Sequence, residues 1–232
     1  MKKLVPLGLL MAMLLAAVVV SSPTEVKAQG PGFVSSLLSR MERNRQSLKS
    51  LRASVDMVKY NVQTKDEDKY KGVVLYVPAP GKNAYVRVDW SYPQRETLAV
   101  ADGQFTLFRP RLNMAYKGKA GQGSKGKQSA AFEFMNMSRA QLSARYNLEY
   151  MGDETLWGGV ATTHVKLVPK GGASFKWAEA WIDAGGMPVQ TKVIERNDDS
   201  TTVRLTNMQR NASISLDEFF LKLDSKVKIV PA

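Results

Sequence analysis

The chain has 232 residues, 44% hydrophobic and 23% charged, and its 33 Lys and Arg outnumber 21 Asp and Glu for a net charge of +12. This composition supports one sizeable buried core and excludes a disordered or collagen-like chain. The lack of cysteine excludes disulfide frameworks, thiolate metal sites, cysteine nucleophiles and a lipid-modified N-terminal cysteine, and the single histidine, His164, excludes two-histidine zinc motifs.

Lys2 and Lys3 precede an apolar run from Leu4 to Val20, and a polar stretch then ends in Val26-Lys27-Ala28 before Gln29. A basic start, an apolar stretch and a small residue at its end predict a secretory signal peptide over residues 1–28, followed by one domain over 29–232. The alternative is an uncleaved anchor, for which the apolar run is at the short limit for crossing a bilayer. Cleavage after Ala28 removes three basic and one acidic residue and leaves +10 over 204 residues. An exported chain of this charge meets anionic lipid surfaces rather than nucleic acid, so no nucleic-acid partner is expected. Most Lys and Arg are expected to be solvated surface.

From Phe33 to about Lys49, apolar residues at Phe33, Val34, Leu37, Leu38, Met41 and Leu48 follow helical spacing, with Arg40, Arg43, Arg45 and Lys49 on other faces. The period then becomes two: Leu51, Ala53, Val55 and Met57 alternate with Arg52, Ser54, Asp56 and Val58, as in a strand with one buried face. Strands follow at 71–77, 84–90, 96–101, 104–109 and 112–117, and Asp102-Gly103 signals a tight hairpin. Asp66-Glu67-Asp68 reads as a hydrophilic turn. The segment 118–128 is rich in Gly, Lys and Gln and reads as a surface loop; 130–146 is helix-like, with Ser138 as an N-cap for a short second helix. A second series of strands covers 147–151, 161–168, 175–183, 189–196 and 201–208. Short strands with short connections predict a large antiparallel meander of about 10–11 strands, curled or barrel-like, with no room for parallel crossovers.

Catalytic signals are weak. Gly121, Gly123 and Gly126 form a G-x-G-x-x-G string, but Gln128 stands where a phosphate loop needs Ser or Thr, and no parallel strand-turn-helix unit surrounds it. No G-x-S-x-G elbow occurs, and His164 lies in an alternating run beside Val165 and Leu167, as a packed or surface strand residue would. No enzyme activity, metal or cofactor is expected. Alternation puts Val55, Met57, Val74, Tyr76, Val86, Val88, Trp90, Leu98, Val100, Phe105 and Leu107 on one apolar face of the sheet. Leu37, Met41, Phe132, Phe134, Met135 and Met137 belong to helical stretches whose stripes must bury against that sheet as a lid.

Several runs in order carry a resemblance: Ser50-Leu51-Arg52-Ala53-Ser54-Val55, Gly72-Val73-Val74-Leu75-Tyr76-Val77, Arg87-Val88-Asp89-Trp90 with Tyr92-Pro93, and Leu98-Ala99-Val100-Ala101-Asp102-Gly103. Phe108-Arg109-Pro110, Ala180-Trp181-Ile182-Asp183, Met187-Pro188 and Asn207-Met208-Gln209-Arg210-Asn211 continue it, and Phe219 to Leu223 before Val227 to Val230 is similar to a closing strand. Through these runs the chain resembles the LolA family of periplasmic outer-membrane lipoprotein carriers. The resemblance implies an incomplete antiparallel β-barrel with a helical lid over an apolar cavity that shelters acyl chains. It implies acylated lipoproteins as cargo, an inner-membrane release complex and an outer-membrane acceptor as partners, a periplasmic location and a monomer. The eleven face residues would then bind acyl chains. The family's basic lid-latch residue at the end of the second strand is replaced by Pro78-Ala79-Pro80-Gly81-Lys82, which leaves Lys82 or Arg87 as substitutes. The alternatives are a sensor resembling the RseB-type half-barrel, a general exported lipid-binding protein, and an acyl-chain hydrolase whose nucleophile and base are not found.

Overall fold

The computed structural model describes residues 31–79, 84–120 and 137–232. The signal segment, Lys82, Lys125, Lys127, Phe132, Phe134 and Met135 lie outside the described residues. Helix α1 (Pro31–Ser47) buries Leu37, Met41 and Asn44 along one stripe, which Leu48 continues just beyond its end, while Arg43 and Gln46 face solvent. The helix ends as the Leu48 N–H and the Ser47 hydroxyl both donate to the Asn44 carbonyl, at 2.9 and 3.0 Å.

Six strands then run as an antiparallel meander: β1 (Leu51–Tyr60), β2 (Glu67–Val77), β3 (Tyr85–Tyr92), β4 (Glu96–Ala101), β5 (Gln104–Arg109) and β6 (Met114–Lys119). Helix α2 (Arg139–Arg145) leads into a second meander of β7 (Tyr146–Leu156), β8 (Val160–Pro169), β9 (Phe175–Asp183), β10 (Pro188–Glu195) and β11 (Ser200–Arg210). Strand β11 returns to pair with β1, so both meanders form one sheet. A short strand β12 (Lys228–Pro231) extends it, and the order is β12-β6-β5-β4-β3-β2-β1-β11-β10-β9-β8-β7. The sheet is open rather than closed, an incomplete barrel with helices packed on one face.

Local chemistry sets the turns. Asp102 and Gly103 have φ of 48° and 72°, the left-handed pair that a two-residue hairpin between β4 and β5 needs. Ser138 caps α2: its hydroxyl accepts from the Gln141 N–H at 3.2 Å, and the Gln141 side chain accepts from the Ser138 N–H at 2.8 Å.

Three expectations need correction. Among the described residues the strands number twelve, and β12 pairs parallel with β6, held by Lys228 N–H to the Asn113 carbonyl and Ala232 N–H to the Lys117 carbonyl, both 2.9 Å. A parallel partner is reachable because residues 211–227 cross the sheet before β12 begins. Within that crossing Leu216–Phe219 is a 3-10 turn capped by Ser215 and 220–224 form no strand, so of the expected closing strand only the part from Lys228 to Val230 is one. The β1–β2 turn precedes the acidic run: Asn61 Oδ1 accepts from the N–H groups of Gln63 and Thr64, while Glu67 and Asp68 already belong to β2, with Lys59 opposite Asp68.

Candidate functional site

In an antiparallel pair, directly opposed residues share a face. The registers Val55↔Gly72, Val74↔Val88, Tyr76↔Val86, Val88↔Leu98, Val86↔Val100, Leu98↔Leu107 and Val100↔Phe105 carry one face across five strands. Met57 and Trp90 fall on it through Met57↔Tyr70 and Gly72↔Trp90, so all eleven face residues expected from alternation share it. Their burial is uneven. Val55, Met57, Val74, Tyr76, Val88 and Trp90 join one buried cluster with Leu48, Met187, Val203 and Leu205, and Val86 packs against it. Phe105 is buried outside that cluster, and Leu98, Val100 and Leu107 are only half-buried. Burial pushes the Tyr76 hydroxyl up to about 12, with the nearby Arg45 acting in the opposite direction.

The lid residues lie elsewhere on the same face. Leu37, Met41 and Met137 form a second cluster with Leu38, Leu142, Tyr146, Val165, Leu167, Ala178, Ala180, Ile182 and Val193. Helix α1 therefore sits on β8 to β10 rather than over Val55 to Trp90. The methyl side chains of Ala178 and Ala180 leave room for a helix to lie close, and Phe33 packs edge-on against Tyr150 with centroids 4.6 Å apart. Only the C-terminal end of α1 reaches the first cluster, through Leu48 and through Asn44, whose Nδ2 donates to Met187 Sδ at 3.4 Å. Sequence reasoning missed the β8–β10 residues under the lid, although their alternation was readable; only the long-range contact with α1 was not.

Arg87, a candidate latch, opposes Leu75 and Ala99 and so lies on the face turned away from α1. It pairs with Asp89 at 2.8 Å and donates to the Glu218 carbonyl at 2.8 Å, fastening the C-terminal crossing, where Phe219 is buried beside Tyr85. The two helices are joined instead through Glu42. Its carboxylate accepts from Arg45 at 2.6 and 3.1 Å, from Gln46 at 2.9 Å and from the Arg139 N–H in the first turn of α2 at 3.0 Å. Arg139 in turn donates to the hydroxyls of Ser39 and Ser35 at 2.9 and 3.0 Å.

The Arg45 hydrogen bond, opposed by burial and aided by the Arg139 N–H, lowers the Glu42 pKa from the ordinary 4.5 to about 2. A depressed carboxylate stabilises the fold above its unfolded value, and that contribution disappears as pH falls through the folded value. The α1–α2 junction should therefore weaken from about pH 4.5 toward 2. Glu42→Gln should remove that part of the pH dependence, as followed by helical circular dichroism during acid titration; an unchanged acid profile would exclude Glu42 as the junction.

The opposite face carries an open groove of about 680 Å³ lined by Ser54, Asp56, Val73, Asp89, Thr97 and Phe108 among others. His164 also lies on that face, opposite Trp181; its ring stacks on the indole at 4.1 Å, with Glu154 and Glu179 carboxylate oxygens 3.6 and 3.3 Å from its nitrogens. Basic residues are split: Arg43 is exposed on α1, whereas Lys117, opposite Thr106, and Lys119, opposite Gln104, are on the far side of the sheet. Among the described residues no helix is long and apolar enough to cross a membrane.

A family model described as outer membrane lipoprotein carrier protein LolA matches residues 47–222. The chain belongs to the LolA family. No curated protein matches it. Among solved structures, an uncharacterized conserved protein from Thermus thermophilus is similar, with a TM-score of 0.55 and 12% identity over 86% of this chain and 99% of that one. A chain of the Pseudomonas aeruginosa MucA/MucB complex gives 0.51 and 14% identity over 85% of this chain and 63% of that one. At such identities the likeness is one of fold. Of the two possible latch substitutes, Arg87 binds the C-terminal crossing and Lys82 lies outside the described residues, while α1 and α2 meet through Glu42 and Arg139.

Proposed function

We propose that the chain is a periplasmic, non-catalytic carrier. It would bind the acyl chains of lipoproteins against the helix-covered face of its sheet and move them from the inner to the outer membrane. The observation that carries this reading is the run of eleven apolar side chains on one face, closed over β1 to β3 and only half-buried at Leu98, Val100 and Leu107. Each buried methylene contributes about 0.8 kcal/mol, so an acyl chain in water gains many kcal/mol from such a surface. A carrier must also release its cargo, and a face left partly open at Leu98, Val100 and Leu107 suits reversible binding better than a sealed core.

In this reading residues 1–28 direct export, residues 29–232 form the single working domain, and the working unit is a monomer. Its partners are acylated lipoproteins, an inner-membrane release complex and an outer-membrane acceptor. No cofactor or metal takes part. The test is uptake of a fluorescent acyl probe from water by the purified protein.

A further inference from the structure

One end of the covered face carries a row of aromatic and charged side chains. Lys59 lies over the Tyr70 ring at 4.9 Å, and Tyr70 meets Trp90 edge-on at 5.8 Å. Trp90 opposes Glu96, whose Oε1 is 3.0 Å from Arg109 Nε, and the Arg109 guanidinium lies over Tyr116 at 5.4 Å. The registers Met57↔Tyr70, Gly72↔Trp90 and Leu107↔Tyr116 put this row on the same face as the eleven apolar residues. It lies at the C-terminal ends of β1, β3 and β5 and the N-terminal end of β4. The other end of that face is closed by the buried side chains of Leu48, Tyr76 and Met187, beside the C-terminal end of α1. The face is therefore polar at one end, apolar along its middle and shut at the far end, which matches an amphiphile lying lengthwise.

We propose that this row holds the polar head of a bound acyl lipid, and that the preferred head is an uncharged ester or amide rather than an anion. The proposal rests on the acyl-binding reading above. Glu96 and Arg109 neutralise each other, and Gln94 Nε2 also donates to Glu96 Oε1 at 2.7 Å. Arg109 Nε approaches the Glu96 carboxylate to 3.0 Å as an ion pair without a hydrogen bond to it, and a guanidinium's five N–H groups in a fork can donate to a carbonyl oxygen. A carboxylate accepts from an amide N–H and repels an anionic head. Aromatic rings flanking such a pair suit the boundary between a wet head and a dry chain.

The test uses two probes with one polyene chain, cis-parinaric acid and its N-methylamide, titrated by fluorescence at about pH 8 so that the acid is ionised. The wild type should bind the amide more tightly than the acid. Glu96→Gln leaves Arg109 unopposed and should shift the acid-to-amide affinity ratio about tenfold toward the acid, whereas Arg109→Gln should shift it about tenfold the other way. Because the ratio is read within each variant, a general loss of packing cancels. Ratios unmoved by either substitution, with both probes bound, would overturn the head assignment and leave the acyl-binding reading standing. Failure of the wild type to bind either probe would remove both.

Discussion

Leu37→Asp should destabilise the protein by about 4 kcal/mol or more, chiefly by separating α1 from the sheet. Leu37 is fully buried and packs with Leu38, Met41, Leu142, Val165, Leu167 and the two β9 alanines. Truncating such a leucine costs about 2–5 kcal/mol, and a carboxyl left without partners there adds a further burial cost. The buried residues around Val55 to Trp90 form a separate cluster, so the sheet signal in far-ultraviolet circular dichroism should persist while helical signal falls. Urea unfolding measures the cost, with Leu37→Ala as the milder variant at about 2–5 kcal/mol. A loss below about 1 kcal/mol for both would contradict the packing of α1 on β8 to β10.

Gly186→Val should be nearly as damaging, for two independent reasons. The residue sits at φ +89°, a conformation that side-chain-bearing residues avoid and β-branched ones avoid most. A Cβ there would also lie 2.4 Å from the Arg40 carbonyl oxygen and 2.8 Å from the Met41 backbone nitrogen, which are helix backbone and cannot swing aside. Together these should cost about 3 kcal/mol or more. The adjacent Gly185 is the control: its Cβ would meet the Arg210 guanidinium at 3.0 Å and the Asp183 carboxylate at 3.3 Å, both on adjustable side chains. Gly185→Ala should therefore cost less than about 1 kcal/mol in the same urea experiment. Equal losses at the two glycines would mean that the β9–β10 turn does not carry α1.

These two positions mark where α1 is fastened to the sheet. The C-terminal end of α1 is fixed at the β9–β10 turn through Gly186 and Met187 and at the first cluster through Leu48. Its N-terminal half is held by Leu37, by the Phe33–Tyr150 contact and by the Arg139 guanidinium on the Ser35 and Ser39 hydroxyls, while the Arg139 N–H meets Glu42 beyond the helix midpoint. The polar junction is the part that acid weakens, while Leu142 of α2 stays packed in the Leu37 cluster, so loss of the junction alone should not detach α2.

What the sequence made legible follows short-range rules. The period-two run of β1, the Asp102-Gly103 hairpin and the Ser138 cap each depend on neighbours within a few residues, and they appear in the structure where the sequence puts them. The shared face of the eleven apolar residues follows from the same alternation, because a register slip would turn a whole strand over. What was hidden is long-range. Nothing near Lys228 announces a parallel partner at Met114, and four residues are too few for a pattern. That α1 chooses β8 to β10 depends on Ala178 and Ala180, more than 130 residues away, being small enough to admit it. The Glu96–Arg109 pair escaped notice because each residue sits at a strand end, where charge reads as turn chemistry, and only the β4–β5 register brings them together.

The central claim is that acyl chains bind to the helix-covered face of the sheet and not to its other side. It is tested most directly by titrating the cis-parinaric N-methylamide into the wild type and three variants. Leu98→Asp and Val100→Asp place a carboxylate on the half-buried part of the covered face, while Val73→Asp places one in the groove on the opposite face, where Val73 is 40% exposed. A charge beside a bound chain displaces or desolvates unfavourably, and a loss of about 1.4 kcal/mol already lowers affinity tenfold. The account predicts saturable uptake by the wild type, at least about tenfold weaker uptake by Leu98→Asp and Val100→Asp, and unchanged uptake by Val73→Asp. No uptake by the wild type, or loss with Val73→Asp while the other two bind normally, would contradict it.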